Sequence, residues 1–169
     1  MSEVHYYFAY GSNMNLARMN ARVGETRAAL AARLSGWRLT FDKAARIEGV
    51  AHANVTPDSQ AVVEGVLHEL THPEQIELMD PYEGHPDQYR RRIESLETEH
   101  GMLRGWVYVA LPEKVESGRL PAQEYMAHLL AGKPWLSPGY YEALRQQPCV
   151  EGLEADALQE IGIRQRSSH

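Results

Sequence analysis

Residues 8–14 read Phe-Ala-Tyr-Gly-Ser-Asn-Met, an apolar run that passes directly into a glycine, a hydroxyl and an amide. The residues from Val4 to Ala9 are apolar and aromatic, which predicts a buried strand that ends at Tyr10. Residues 11–13 are of the types that form tight turns. Because glycine has no side chain to obstruct approach, such a turn can bring backbone N–H groups close to a bound group. The first strand therefore ends in a candidate binding loop.

The size and charge of the chain limit what this loop can belong to. With 169 residues, 43% of them hydrophobic, the chain can bury one sizeable core, and we expect a single domain over residues 1–169 with a loosely packed tail at 150–169. The net charge is −6 and the basic residues are scattered except for Arg90, Arg91 and Arg92, which disfavours a nucleic-acid partner. No stretch approaches the roughly 20 apolar residues that a bilayer requires, and no signal segment is evident. The single cysteine, Cys149, excludes an internal disulfide and fits a reducing compartment. These features favour a cytoplasmic monomer or homodimer with no membrane partner.

Short strands are predicted along most of the chain. Trp37, Leu39 and Phe41 alternate with polar residues, as on one face of a half-buried strand. Further strands are predicted at 51–56, 62–70, 89–96 and 103–110, separated by turns at 57–59 and 100–101. Helices are predicted at 14–20, 123–130, 140–145 and 155–161. Strands first and helices last predict an α+β fold whose sheet curls into a small barrel.

Residues 68–72 read His-Glu-Leu-Thr-His and match the H-E-x-x-H signature of zinc proteases. That signature needs both histidines one turn apart on a helix. Here a β-rich run precedes His68 and Pro73 follows His72, while Thr71 to Glu74 has the form of a capping box that begins a helix. We therefore expect exposed histidines on either side of a strand-to-helix junction, with no metal between them. A zinc hydrolase using His68, Glu69 and His72 is a disfavoured alternative.

A second stretch, Asp80-Pro81-Tyr82-Glu83-Gly84, follows the helix that begins near residue 74. Because proline interrupts helices, we expect this helix to stop near Pro81. Pro81 and Gly84 flank Glu83, which predicts that Glu83 lies on a turn. A carboxylate on a turn can be aimed at a single point. Taken alone, an acidic residue before a glycine is ordinary.

Together these stretches resemble the γ-glutamylcyclotransferase family, also called AIG2-like. The resemblance covers about residues 6–144 and rests on four motifs in order: Tyr10-Gly11-Ser12-Asn13, Glu64-Gly65-Val66-Leu67, Leu78-Met79-Asp80-Pro81-Tyr82-Glu83-Gly84, and Pro121-Ala122-Gln123-Glu124-Tyr125 with Gly132. It implies a small mixed β-barrel flanked by helices. It also implies an enzyme that cyclises a γ-glutamyl group to 5-oxoproline and releases the attached amine.

The resemblance also implies roles for particular residues. It assigns the catalytic carboxylate to Glu83, and substrate binding to Tyr10, Gly11, Ser12, Asn13, Tyr89 and Tyr125. A carboxylate of raised pKa can take a proton from the substrate's α-ammonium and return it to the departing amine. The loop's backbone N–H groups would hold the α-carboxylate or the oxyanion. Ring closure is intramolecular, so no metal or organic cofactor is expected.

Three further residues receive structural roles. We expect Asp80 to orient the turn, Tyr140 to pack, and Arg18 to tie the loop to the sheet. The sequence departs from the family at Glu64, where an aromatic is common, and at Pro121-Ala122-Gln123, which replaces a Pro-Ser-Pro-like entry. These departures leave the leaving amine open: an amino acid, a polyamine, another amine or part of a natural product, with glutathione less favoured. A non-catalytic, small-ligand-binding barrel is the other alternative, although it would not need Glu83.

Overall fold

Five strands form a closed barrel in this computed structural model, which describes residues 3–163. The strands are β1 (Tyr6–Ala9), β2 (Ala28–Ala44), β3 (Ala51–Glu69), β4 (Tyr89–Thr98) and β5 (Gly101–Ala110), and their order around the barrel is β1, β3, β2, β4, β5. Neighbouring strands are antiparallel except β1 and β5, which pair in parallel through Tyr7 and Trp106 and close the barrel. The barrel is therefore mixed, as predicted.

The hairpin of β2 and β3 is much longer than predicted. Residues 28–36 belong to β2, although no strand was predicted there, and β3 runs without interruption from Ala51 to Glu69. The turn predicted at Pro57-Asp58-Ser59, between two separate strands, is therefore wrong. Pro57 pairs with Trp37 where the register shifts, next to Gly36 with its φ of 86°. A bulge of this kind tolerates proline and bends the strands, which helps the hairpin curl around the barrel.

Helices pack around the barrel, close to their predicted positions after residue 122. They are α1 (Leu16–Val23), α2 (Ile76–Glu83), α3 (Gln123–Leu130), α4 (Pro138–Arg145) and α5 (Ala155–Glu160), with 3₁₀ turns at Ser12–Met14, Pro73–Gln75, Pro112–Lys114 and Lys133–Trp135. The predicted stop near Pro81 is wrong, because Pro81 lies inside α2. The helix ends instead at Gly84, whose φ of 64° and ψ of 35° give the left-handed conformation that terminates many helices. Glu83 is consequently the last residue of a helix.

The two histidines of the 68–72 segment lie on either side of a junction, as predicted, but only one is exposed. His68 belongs to β3, where it pairs with Tyr7 on β1 and Ala29 on β2, and none of its surface is accessible. The prediction of exposure is wrong for His68, because its ring is covered by Tyr7 and by the loop at Asn13. His72 is exposed and precedes the turn at Pro73–Gln75, without a side-chain cap hydrogen bond. The predicted capping box is also wrong, since Thr71 donates instead from its backbone N to Gln75 Oε1, over 2.9 Å.

The C-terminal segment contributes to the core. Leu158, Ile161 and Ile163 are buried together with barrel residues such as Phe8 and Leu67. Residues 164–169 of the tail predicted at 150–169 lie outside the described residues. Within residues 3–163, no helix has the length and apolar character needed to cross a bilayer.

Candidate active site

A cavity of about 610 Å³ lies where the loop after β1 meets the end of α2 and the C-terminal segment. Its volume is in the range typical of small-molecule sites. All seven residues predicted for the site line it: Tyr10, Gly11, Ser12, Asn13, Glu83, Tyr89 and Tyr125. The structure thus brings together residues that are spread over more than a hundred positions of sequence.

Glu83 and Asn13 are joined directly within this cavity. Asn13 Nδ2 donates to Glu83 Oε1 over 3.2 Å and also contacts the hydroxyl of Tyr7 at 3.0 Å and Met79 Sδ at 3.4 Å. The other end of the amide, Oδ1, accepts from Arg22 Nη1 over 3.4 Å. Because arginine can only donate, this contact fixes which end of the amide faces Glu83. Asn13 is buried, so the loop holds one end of the carboxylate in a defined place.

The surroundings of Glu83 increase its affinity for a proton. Burial raises the pKa of Glu83, while the positive charges of Arg22, Arg18 and Lys43 and the hydrogen bond from Asn13 oppose the increase without cancelling it. A carboxylate with a raised pKa is better matched to proton exchange with an amine than an exposed glutamate is.

His68 fixes the backbone of the same loop from the barrel side. Its Nε2 lies 3.0 Å from the carbonyl oxygen of Asn13. Since a carbonyl can only accept, Nε2 carries the proton and donates. Burial lowers the pKa of His68 to about 4, which keeps the imidazole neutral at neutral pH. The buried histidine of the zinc-like motif therefore positions the loop.

Arg18 anchors the loop to the C-terminal segment, rather than to the sheet as predicted. Its Nε donates to Ser12 Oγ over 3.1 Å, and its terminal nitrogens donate to the carbonyls of Gly162 at 2.6 Å and Ile163 at 3.1 Å. Residues 159–162 form part of the cavity wall. A single buried guanidinium thus joins the binding loop to that wall.

The three tyrosines predicted for the site use their hydroxyl groups differently. Tyr10 donates to the carbonyl of Tyr108 over 2.6 Å, and Tyr89 donates to the carbonyl of Ala53 over 2.7 Å. Tyr125 instead accepts from the backbone N–H of Ala53 over 3.0 Å. Burial raises the pKa of Tyr125 to about 12, so its hydroxyl keeps its proton at neutral pH. Among these three, Tyr125 has a proton left to donate to a bound group.

Gly11 lies against the hydroxyl of Tyr125. A Cβ atom at Gly11 would sit 3.0 Å from the Tyr125 hydroxyl oxygen and 3.4 Å from the Cβ of Ala53. The φ of Gly11 is −117°, which lies outside the left-handed region. Glycine is therefore needed here for space between the loop and Tyr125.

Sequence reasoning missed several charged or titratable residues that line the cavity, among them Arg22, Lys43 and His52. Arg22 could have been found, because it lies one helical turn beyond Arg18 on α1. Lys43 and His52 face each other across the β2–β3 pair, and nothing in their local sequence distinguishes them from surface residues. Burial, together with the charge of Lys43, lowers the pKa of His52 to about 3.

Asp80, Tyr140 and Glu64 are not among the described residues that line the cavity. Asp80 accepts from Arg91 Nε over 2.9 Å and from the hydroxyl of Tyr108 over 2.7 Å. Tyr140 packs against the core from α4. Glu64 holds the start of α4, since its two oxygens accept from the backbone N and the hydroxyl of Ser137, each over 2.7 Å. The departure from the family at Glu64 thus affects helix packing.

The zinc-like segment does not assemble a metal site. Within residues 3–163, no group of three or more histidine, cysteine, aspartate or glutamate side chains is placed to hold a metal ion. The ring of His68 is buried and stacks on Tyr7, whereas His72 lies near Glu74 at the surface.

The family profile described as γ-glutamyl cyclotransferase, AIG2-like matches residues 7–127. The chain therefore belongs to this family. The match includes all seven predicted site residues and ends before the C-terminal wall of the cavity. Comparison with curated proteins gives no significant match.

Solved structures share the fold. One described as a γ-glutamyl cyclotransferase has a TM-score of 0.73 at 20% identity and covers 92% of this chain and 96% of its own. An uncharacterized protein from Homo sapiens has a TM-score of 0.76 at 21% identity, over 95% of this chain and 98% of its own. A cyclotransferase specific to glutathione from yeast has a TM-score of 0.59 at 12% identity, over 85% and 94%. These likenesses establish the barrel with flanking helices as a γ-glutamyl cyclotransferase-like fold.

Proposed function

We propose that this protein is an enzyme that releases 5-oxoproline and a free amine from a γ-glutamyl amide. The observation that carries the proposal is the carboxylate of Glu83, held 3.2 Å from Asn13 Nδ2 in a cavity of substrate size, with its pKa raised by burial. Membership of the γ-glutamyl cyclotransferase, AIG2-like family supports the same reaction class.

The reaction begins with proton removal. In a γ-glutamyl amide at neutral pH the α-amine is mostly protonated and cannot attack. Glu83 takes one proton from this ammonium, and the nitrogen lone pair then forms a bond to the side-chain carbonyl carbon of the same glutamyl group. The five-membered ring closes and the carbonyl oxygen becomes an oxyanion.

Collapse of this intermediate breaks the bond between the former carbonyl carbon and the leaving nitrogen. Glu83, now protonated, returns the proton to the leaving amine and is again a carboxylate. It then takes the second proton from the ring nitrogen, which becomes the amide N–H of 5-oxoproline, and passes that proton to the released amine, which departs as an ammonium. The products are 5-oxoproline and the free amine, and water is not consumed. Because both reacting groups belong to one molecule, the protein mainly has to fold the substrate into the attacking conformation.

The loop and its neighbours supply the binding groups. Arg22 and the backbone N–H groups at residues 11–13 suit the substrate's α-carboxylate, since an arginine and a turn of N–H groups both attract anions. Tyr125 has a proton free to donate to the developing oxyanion. The reaction needs no redox or metal chemistry, because ring closure is intramolecular.

A panel of γ-glutamyl amides, assayed for 5-oxoproline by liquid chromatography, tests the proposal. The panel holds the γ-glutamyl group constant and varies the amine, so that activity is detected whichever amine is preferred. We expect 5-oxoproline and the free amine to appear in equal amounts. Binding of these amides without any 5-oxoproline would contradict the proposal and would indicate a ligand-binding barrel.

A further inference from the structure

The C-terminal segment at residues 158–163 forms one wall of the cavity. Its apolar side chains are buried in the core, and residues 159–162 line the cavity. The segment turns at Gly162, whose φ is 76°, and the backbone N–H of Ile163 donates to the carbonyl of Leu158 over 2.9 Å. The carbonyls of Gly162 and Ile163 are bound by side chains of other elements. The position of the wall therefore depends on those side chains.

Two side chains hold the carbonyl oxygen of Ile163. Arg18 Nη1 lies 3.1 Å from this oxygen, and His128 Nε2, on α3, lies 3.2 Å from it. Burial lowers the pKa of Arg18 to about 10, so the guanidinium stays charged at neutral pH. His128 is half-buried, and histidine is the side chain whose charge changes near neutral pH. Of these two donors, His128 is therefore the one that responds to a moderate change of pH.

Asn15 determines which nitrogen of His128 carries the proton. Asn15 Oδ1 accepts from the backbone N–H groups of Ala17 and Arg18 and so caps α1, which leaves Nδ2 facing the ring. Nδ2 lies 3.0 Å from His128 Nδ1 and can only donate, so Nδ1 is an unprotonated acceptor. The proton of the neutral ring is on Nε2, which donates it to Ile163. His128 thus joins the start of α1 to the C-terminal segment.

A second proton on His128 would disrupt this bridge. It would go to Nδ1 and meet the amide of Asn15, which is also a donor, at 3.0 Å. Asn15 cannot turn its oxygen toward the ring without losing its cap on α1. Burial of the ring and the positive charges of Arg18 and Arg22 also oppose the added proton. They outweigh the Ile163 carbonyl, which favours it, and so lower the pKa of His128.

The elements around α3 bring no ion-pair partner to His128 among the described residues. The 3₁₀ turn at Ser12–Met14, which packs against α3, has no titratable side chain. On α4, Glu142 is exposed and paired with Arg145 over 2.9 Å. The other carboxyl groups of α3 and of the C-terminal segment are Glu124 and Glu160. Within residues 3–163, neither of these forms an ion pair with His128, so nothing compensates a charge on the ring.

We propose that His128 is a pH-dependent latch on this wall of the cavity. Neutral His128 holds Ile163 from the start of α1, whereas protonated His128 leaves its position and releases residues 158–163. Because residues 159–162 line the cavity, their release opens it. His128 is a positioning residue, since it acts on the cavity through the segment that it holds. The latch does not depend on the reaction proposed for the cavity.

Amide hydrogen exchange over a range of pH, expressed as protection factors, tests the latch. In the parent, the protection of Ile161 and Ile163 should fall as the pH drops below about 6.5, the usual pKa of a free histidine. The reason is that the released segment leaves His128 free to bind its proton more tightly. For one proton, the loss should reach up to about tenfold per pH unit. Amides of β5 report global unfolding and should lose less protection.

Three variants identify the group responsible. His128→Gln keeps a donor for the Ile163 carbonyl but does not titrate, so protection at residues 158–163 relative to β5 should stay constant as the pH falls. His128→Phe lacks the donor and should lower this protection at every pH. His100→Gln is the matched control, because His100 is an exposed histidine at the turn between β4 and β5. It should keep the pH dependence of the parent.

Any of three results would overturn the latch. One is protection of residues 158–163, relative to β5, that does not change with pH in the parent. Another is an equal pH-dependent loss in His128→Gln, which would assign the effect to a different group such as Glu83. The third is parent-like protection in a folded His128→Phe. If His128→Phe does not fold, the comparison of the parent with His128→Gln still decides the question.

Discussion

Asn13 Nδ2 donates to Glu83 Oε1 across 3.2 Å and so joins two segments that lie 70 residues apart. Asn13 sits on a loop that His68 fixes from the barrel and that Arg18 fixes, through Ser12, from the C-terminal segment. The position of the carboxylate therefore depends on residues well outside its own helix. Substitutions in the loop and in its anchors should therefore affect the site as well as substitutions of Glu83.

Replacing Gly11 should disable the site through Tyr125. In Gly11→Val, the new side chain would displace the Tyr125 hydroxyl, which lies 3.0 Å from the Cβ position, and would narrow the approach to the loop. We expect kcat/KM for γ-glutamyl amides to fall by about 100-fold or more, the scale of a misplaced substrate, while the fold is retained. Steady-state kinetics and thermal unfolding measure the two effects.

Gly139→Val is a suitable control for that substitution. Gly139 lies on α4, and nothing approaches within 4 Å of its Cβ position. Its valine variant should therefore keep the parent's activity. Parent-like activity in Gly11→Val would show that the loop merely connects β1 to α1.

Removing the guanidinium of Arg18 should loosen the C-terminal wall. Arg18→Met leaves Ser12 Oγ and the carbonyls of Gly162 and Ile163 without their donor. The free energy of unfolding should fall by about 1.5 to 3 kcal/mol, the range for a hydrogen bond to a charged group. Amide hydrogen exchange should quicken around residues 158–163, and kcat/KM should fall as the wall opens.

Arg145→Met provides the comparison for Arg18. Arg145 is exposed and pairs with Glu142 over 2.9 Å, a kind of surface ion pair that contributes little to stability. Exchange at residues 158–163 should be unchanged in this variant. If Arg18→Met also left that exchange unchanged, Arg18 would not be the anchor.

Metal removal should not affect the reaction. Dialysis against a chelator should leave 5-oxoproline release unchanged, and elemental analysis should find no stoichiometric zinc. The reason is that His68 Nε2 donates to the Asn13 carbonyl, while His72 lies beyond the strand end at the surface. Two substitutions distinguish the metal-free cyclotransferase from a zinc hydrolase. His72→Ala should keep full activity and His68→Ala should lose it, whereas a zinc site would require both histidines.

The sequence was sufficient to predict the barrel class and the seven residues around the cavity. Six of these residues lie in the motifs that carry the family resemblance, as in the strand and turn at Tyr10 to Asn13, and the resemblance also implied Tyr89, which lies outside those motifs. The burial of Lys43 and His68 could not be predicted in this way. Their environment depends on how β2 and β3 curl and on which strands flank them, and these are long-range properties of the closed barrel.

Two local errors have a related cause. Pro57 was interpreted as part of a turn and Pro81 as the end of a helix, because proline usually interrupts regular structure. In the structure, Pro57 occupies a register shift of a long hairpin and Pro81 lies within α2, which continues to Gly84. Tertiary packing overrode the local preference of proline at both positions.

Because the pKa of Glu83 is raised, replacing this residue by a neutral one should increase the free energy of unfolding by an amount that depends on pH. Folded Glu83 loses its proton at a higher pH than the unfolded chain does, for which about 4.3 is typical. The stabilisation that comes from this tighter proton binding in the folded protein is therefore complete below about pH 4.3. It is lost as the pH rises through the folded pKa. Glu83→Gln stays neutral, so its free energy of unfolding relative to the parent should increase from about pH 4 upward, as measured by urea titrations. A difference that is constant with pH would contradict the raised pKa.

The same substitution tests the role of Glu83 as the base. Glu83→Gln keeps the size of the side chain and an oxygen that can accept from Asn13 Nδ2, but it cannot take a proton. Turnover of a good γ-glutamyl amide should fall by roughly 100-fold or more, the scale of a lost general base, while substrate affinity changes much less. Asp80→Asn is the control. Asp80 accepts from Arg91 and Tyr108 but does not itself line the cavity, so this variant should give a milder loss. For the parent, kcat/KM should rise with pH as Glu83 ionises, and this rise should be absent from any residual activity of Glu83→Gln. Near-parent turnover in Glu83→Gln would show that another group acts as the base.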